Sequence, residues 1–301
     1  MIKTISLKLQ APLSVPYVAL LRPLDHLFFT IPLVLLGIAT AARVEGTIPK
    51  SQSILTLLAA NILAMSFAFA INEIEDAEDD KKDKTRKNPV SRGLLDRSEA
   101  LSFTLLVFLS SFVLFLSLGL ASTIAGTTML ILSFFYSYKK VRLKSMPLID
   151  LISHGLMLSG LIFLSSFLAI SPNLSAAMPI FLGVTAVSIY GQFYNQVRDF
   201  KEDKKAKIKN TTALVGLIDA RRIMYFVALA GVLLVFYSFY TSLLPFGSLL
   251  LTLIAIPVAL LFTNHSTKRD LRARIATTNF HTPFLVLVNA FALIFLASVL
   301  I

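Results

Sequence analysis

The chain has 301 residues, of which 56% are hydrophobic and only 15% charged, with a formal net charge of +11 and no cysteine. A soluble domain of this length would carry about 25% charged residues, and the missing cysteines exclude disulfides, thiolate metal sites and a cysteine nucleophile. The positive charges stand between hydrophobic runs, which excludes a nucleic-acid surface and suits juxtamembrane charge facing anionic membrane lipid.

The apolar residues fall in unbroken runs rather than at strand alternation, so each run of about 20 reads as a membrane-spanning helix. Residues 1–21 lack a compact apolar region with a small-residue cleavage site, and predict no signal peptide. Spans follow at 24–42, 53–75, 99–119, 121–138, 148–170, 178–198, 222–241, 243–263 and 280–301. Two long stretches are divided, one around Gly119 to Ser122 and the other around Pro245 and Gly247. Lys and Arg support the divisions. The second, fourth, sixth and eighth loops hold 7, 4, 8 and 4 of them, while the third, fifth and seventh hold none. That alternation is the positive-inside pattern for nine spans with a cytoplasmic N-terminus. The expected fold is all-α: a polytopic membrane protein of nine transmembrane helices around a central cavity, in one domain over 1–301.

Acidic residues inside or at the end of a span are costly and are candidates for function. The second span runs into Asn72, Asp76 and Asp80, and the sixth into Asn195, Asp199 and Asp203. Both read N-x-x-x-D-x-x-x-D, and equivalent positions are 123 residues apart, from 72 to 195, 76 to 199 and 80 to 203. The chain is thus an approximate two-part pseudo-repeat with acidic motifs at 72–80 and 195–203. Four residues turn a helix by about 400° and advance it about 6 Å, so each triad forms a stripe on one face. Two facing stripes place four carboxylates around a small volume. A divalent cation relieves their repulsion, and Mg²⁺ takes few protein oxygens and completes its shell with water and phosphate. Lys81, Lys82, Lys84, Arg86 and Lys87 follow the first stripe, and Lys204, Lys205, Lys207 and Lys209 the second. Tyr136, Lys139, Lys140 and Arg142 mark the cytoplasmic loop between them. Carboxylates for metal, nearby cations and apolar spans suit a polyphosphate with a long hydrocarbon tail. Glu73, Glu75, Glu78 and Asp79 lie off the stripe and are expected to meet water or basic partners. His154, alone within a span, is expected to be structural or hydrogen-bonded.

These features resemble the UbiA superfamily of intramembrane prenyltransferases. Besides the double motif in a nine-span frame, Arg22-Pro23 resembles that family's R-P start and Tyr136-x-x-Lys139 its Y-x-x-K element. One departure is Lys87-Asn88-Pro89, where many members show Arg-Pro. The resemblance implies Mg-dependent transfer of a prenyl group from an isoprenyl diphosphate to a lipophilic or aromatic acceptor. It implies Asn72, Asp76, Asp80, Asp199 and Asp203 as holders of Mg²⁺, two ions bridging the diphosphate, with Asn195 assisting. Arg22, Lys84, Tyr136 and Lys139 would bind or polarise the leaving group, with the site facing the cytoplasm. Phe67, Phe69 and Tyr194 lie near enough to the stripes to face an allyl cation, although ordinary helix packing or lipid contact is the favoured explanation for each. A cation-coupled transporter is the alternative from another class, but its carboxylates would sit near the bilayer midplane.

Overall fold

The computed structural model describes residues 14–81, 87–201, 208–254 and 281–300, and every regular element among them is a helix. A short helix, α1 (Ser14–Leu21), meets α2 (Pro23–Glu45) at Arg22, whose backbone is left-handed at φ 51°. Proline at the first helical position gives up no intrahelical bond, so α2 starts sharply there. Then follow α3 (Ser51–Asp80), α4 (Arg97–Leu116) and α5 (Leu120–Ser137). The helix α6 (Ile149–Leu168) carries a π segment at Leu156–Gly160. After α7 (Leu174–Arg198) come a short α8 (Thr211–Val215), α9 (Leu217–Tyr240), α10 (Phe246–Ile254) and α11 (His281–Leu300).

Seven of these, α2 to α7 and α9, are long and apolar enough to cross a membrane. The span expected at 243–263 begins as α10 and continues outside the described residues, and that expected at 280–301 corresponds to α11. Where the sequence divides 99–138, the structure also breaks, between Leu116 and Leu120 at Gly119. An Asp96–Glu99 capping box starts α4 and satisfies backbone donors at both residues.

Neighbours in the bundle follow the chain: α3 packs on α4 and α5, α5 on α6, α6 on α7 and α7 on α9. The bundle closes where α11 packs on α2, with Asn289 donating to the Phe28 carbonyl at 2.8 Å. The helix α6 also crosses α2 at Gly37, where an added Cβ would lie 2.6 Å from the Phe163 carbonyl oxygen. Only glycine permits that approach. Between α3, α5 and α6, Ser165 Oγ donates to Asn61 Oδ1 at 3.0 Å and Ser122 Oγ to the Ser165 carbonyl at 2.8 Å. Small polar side chains of this kind bind helices together where no water competes. Tyr225, Phe226, Leu229, Leu233, Phe236 and Tyr240 of α9 are exposed. An apolar patch of that extent suits lipid rather than water.

Candidate active site at the ends of α3 and α7

The helix α3 continues unbroken from its apolar stretch into the first motif and so carries Asn72, Asp76 and Asp80 on successive turns. Lys144, from a 3₁₀ turn at Leu143–Ser145, reaches back to this stripe. Its Nζ lies 2.8 Å from Asn72 Oδ1 and 2.7 and 2.6 Å from the two Asp76 carboxylate oxygens. Arg142 Nη2 donates to Asp76 and Asp79 at 3.3 Å each, and Ser137 Oγ donates to Asn72 Oδ1 at 3.2 Å. Burial pulls the Lys144 ammonium below the ordinary lysine value in spite of Asp76 beside it. Asp80 is held at one carboxylate oxygen by Asn88 Nδ2, 3.0 Å away.

Of the acids off the stripe, Glu73 and Glu75 are buried, at 5% and 4% exposure, with basic partners, whereas Glu78 and Asp79 are exposed beside Lys81 and Arg142. Arg22 Nη1 donates to Glu73 at 2.6 Å, and its guanidinium stands 5.2 Å over the Phe69 ring. Arg97 Nη2 donates to Glu75 at 2.6 Å, and the Lys139 backbone N–H donates to the other Glu75 oxygen at 2.9 Å. Two ion pairs to buried glutamates therefore clamp α3 to the α1–α2 joint and to α4. Asn88 closes the same end by donating to the Glu73 carbonyl at 2.7 Å. The Lys87-Asn88-Pro89 departure thus gives α3 a clamp.

At the second motif, Arg198 grips Asp199 with two hydrogen bonds of 2.7 Å. Asn195 is exposed and shares a face of α7 with Gln192 and Ser188. That face is turned away from Gly183, which backs onto Leu234 and Val235 of α9. Asp203 and Lys84 lie outside the described residues. Tyr136 is buried, and its hydroxyl accepts from Gln192 Nε2 at 3.5 Å, which ties α5 to α7.

A fully buried acid, Asp150, organises the second half; it stands at the start of the span expected at 148–170, outside the repeated motif that singled out the other acids. It accepts from Gln196 Nε2 at 2.7 Å, from the Thr211 N–H at 2.9 Å and from the Thr211 hydroxyl. Gln196 Oε1 accepts from the Thr212 N–H at 3.0 Å. The Leu148 N–H donates to Thr211 Oγ1 at 2.7 Å. The loop 138–148 is thus fastened at one end to Glu75, Asp76 and Asn72, and at the other to the segment after the second motif. Its two left-handed non-glycine residues, Arg142 at φ 50° and Leu148 at φ 70°, sit where those attachments are made.

The structure therefore unites Asn72, Asp76, Ser137, Arg142 and Lys144 in one cluster, and links Tyr136 to the α7 stripe. Arg22 and the Lys139 backbone are joined instead to Glu73 and Glu75. Among the described residues, no group of three His, Asp or Glu side chains converges on one point as a ready metal cage. The donors still fit a hard cation. Three oxygens, two from Asp76 and one from Asn72, converge on the Lys144 ammonium, and Mg²⁺ commonly takes only one or two carboxylates and completes its shell with phosphate.

Fold and site together define an integral membrane protein of packed helices with carboxylates and cations gathered at one end. The profile of the UbiA prenyltransferase family matches residues 30–285, and the chain belongs to that family. It is similar to a polyprenyl transferase of Arthrobotrys oligospora, 26% identical over 216 residues, which are 69% of this chain and 57% of that one. It is also similar to a lycopene elongase/hydratase of Haloarcula japonica, 25% identical over 198 residues, 65% of each chain. The chain thus matches less than two thirds of either relative's length. Among solved structures, a UbiA homolog from Archaeoglobus fulgidus bound to GPP and Mg²⁺ shares the fold at a TM-score of 0.70. That pair is 20% identical, over 95% of this chain and 99% of the other.

Proposed function

We propose that this protein transfers a prenyl group from an isoprenyl diphosphate to a lipophilic or aromatic acceptor within the membrane, with Mg²⁺. The observation that carries this reading is the meeting of Asn72 and Asp76 oxygens on the Lys144 ammonium, beside Arg142, where an apolar bundle ends. Such a place offers oxygens to a metal, cations to a diphosphate and lipid-like surface to a tail. The GPP and Mg²⁺ bound to the Archaeoglobus fulgidus homolog support it.

In this reading Asn72, Asp76, Asp80, Asp199 and Asp203 hold the metal, two ions in number, and Asn195 assists. Lys144 and Arg142 pass from Asp76 to the diphosphate oxygens, joined by Lys84, Tyr136 and Lys139. Arg22, engaged with Glu73, acts by fixing the end of α3. When bound, Mg²⁺ supplies positive charge to the leaving group. The allylic C1–O bond breaks with its electron pair on the diphosphate, and the site's cations stabilise that charge as it develops. The apolar walls keep water from the allyl cation until the acceptor attacks C1. The positive-inside pattern of the loops supports a site on the cytoplasmic face. The two motifs then act as halves of one domain. Pyrophosphate release from a prenyl diphosphate, followed with and without excess EDTA, tests the reading: full activity in EDTA overturns it.

A further inference from the structure

Deeper in the bundle, α6 and α7 bring together beside Tyr136 of α5 three polar side chains, His154, Ser188 and Gln192, to which prenyl-diphosphate binding gives no task. His154 of α6 lies about 140° and 160° around its helix from the exposed Ile149 and Ile152, and so faces the interior. Its Nδ1 is 3.4 Å from Ser188 Oγ of α7, and its ring centroid is 6.2 Å from that of Tyr136 of α5. Gln192, one turn above Ser188, reaches Tyr136 at 3.5 Å. Both contacts stand at the long limit of a hydrogen bond, so neither pair consumes its partners' capacity. Nε2 of His154 has no hydrogen-bond partner among the described residues. An ionisable side chain inside a span is costly unless it serves a polar ligand. Ser188 and Gln192 share their α7 face with Asn195 and Asp199, so the cluster lies beneath the diphosphate end of the same wall.

We propose that His154, Ser188 and Gln192 receive the hydroxyl of a neutral, lipophilic acceptor, and that His154 Nε2 takes its proton. The inference rests on the prenyl-transfer reading and names the acceptor class. Hydroxyl, amide and imidazole match a neutral hydroxyl, whereas a carboxylate or phosphate head would find no cation among them. The donor C1–O bond breaks with its electrons on the diphosphate, an acceptor oxygen lone pair forms the new bond to C1, and the O–H proton passes to Nε2. The imidazolium then returns it to water as product leaves.

The test uses the full chain in lipid nanodiscs with Mg²⁺, geranyl diphosphate and para-hexylphenol, whose methyl ether is the control. The phenol should shift the His154 ring resonances in nitrogen NMR and the ether should not. Positioned proton transfer contributes about 10²–10⁴-fold, so His154→Gln should lose about a hundredfold or more of transfer while slow pyrophosphate release to water persists. The glutamine amide can still reach Ser188, which keeps the helices together. Ser188→Ala should raise KM for the phenol with kcat unchanged. Transfer at the wild-type rate by His154→Gln, or no resonance shift with the phenol, overturns the inference. Absence of pyrophosphate release from the wild type overturns the transfer reading instead, and the resonance shift alone then decides for or against the pocket.

Discussion

Replacing Lys144 with methionine separates the two tasks its ammonium performs. The side chain is 16% exposed and contacts three oxygens at 2.6 to 2.8 Å. A hydrogen bond to a charged group contributes about 1.5–3 kcal/mol, which is about ten- to a hundredfold in an equilibrium constant. Without a donor molecule, Lys144 competes with a divalent cation for Asp76, so Lys144→Met should tighten Mg²⁺ binding by that factor. With prenyl diphosphate present, the variant lacks one cation for the leaving group, so its KM should rise by a similar factor. Arg142 remains 3.3 Å from Asp76. The carboxylate is therefore not stranded, and stability should fall by less than the 3–5 kcal/mol typical of a broken buried pair. Calorimetric titration with Mg²⁺ alone, beside pyrophosphate-release kinetics, reads both effects. Unchanged Mg²⁺ affinity together with unchanged KM would refute the exchange of Lys144 between carboxylate and diphosphate.

Asp76→Asn and Asp199→Asn should each remove most pyrophosphate release, and the double variant should lose little more, because both act on one metal–diphosphate unit. Asp79→Asn should be mild, since Asp79 is exposed and shares Arg142 with Asp76. Asp150→Asn should cost about 2–4 kcal/mol in unfolding measurements in detergent, because the amide cannot accept from all the donors that meet the carboxylate. Gly37→Val should cost about 1–3 kcal/mol by forcing α2 off α6, read as a lowered unfolding temperature. Cysteines at Lys87 and Lys209 should label from the cytoplasmic face alone, and labelling from opposite faces would sink a shared site.

The all-helical fold and the break at Gly119 were legible in runs of apolar residues, because the bilayer imposes a length rule that a linear sequence records. The first stripe was legible too, since four-residue spacing on a helix brings Asn72, Asp76 and Asp80 to one face. Its counter-ions were harder to read. Lys144 stands among cations that orient the chain in the membrane, and only the left-handed turn at Arg142 aims it back at Asp76. For Glu73 and Glu75 the sequence leaves water and basic partners both open, and burial against Arg22 and Arg97 decides for the latter. Asp150 carried only the signal of a lone acid at the start of a span, and its role was illegible because its donors come from residues 46 and 61 positions away.

The π segment of α6 has a consequence for how the site can vary. Such a segment holds one residue more than a regular helix would need over the same rise, which offsets the two flanking stretches by about 100° in phase. The lower stretch is indexed by Ser165 against Asn61, and the upper one by Asp150 against Thr211. Each index can therefore drift without dragging the other. Deleting a single residue between 156 and 160 would restore a regular helix and swing either His154 or Ser165 off its mark. In the proposed reading such a joint lets the stretch that carries His154 be re-aimed while Ser165 keeps its place against Asn61.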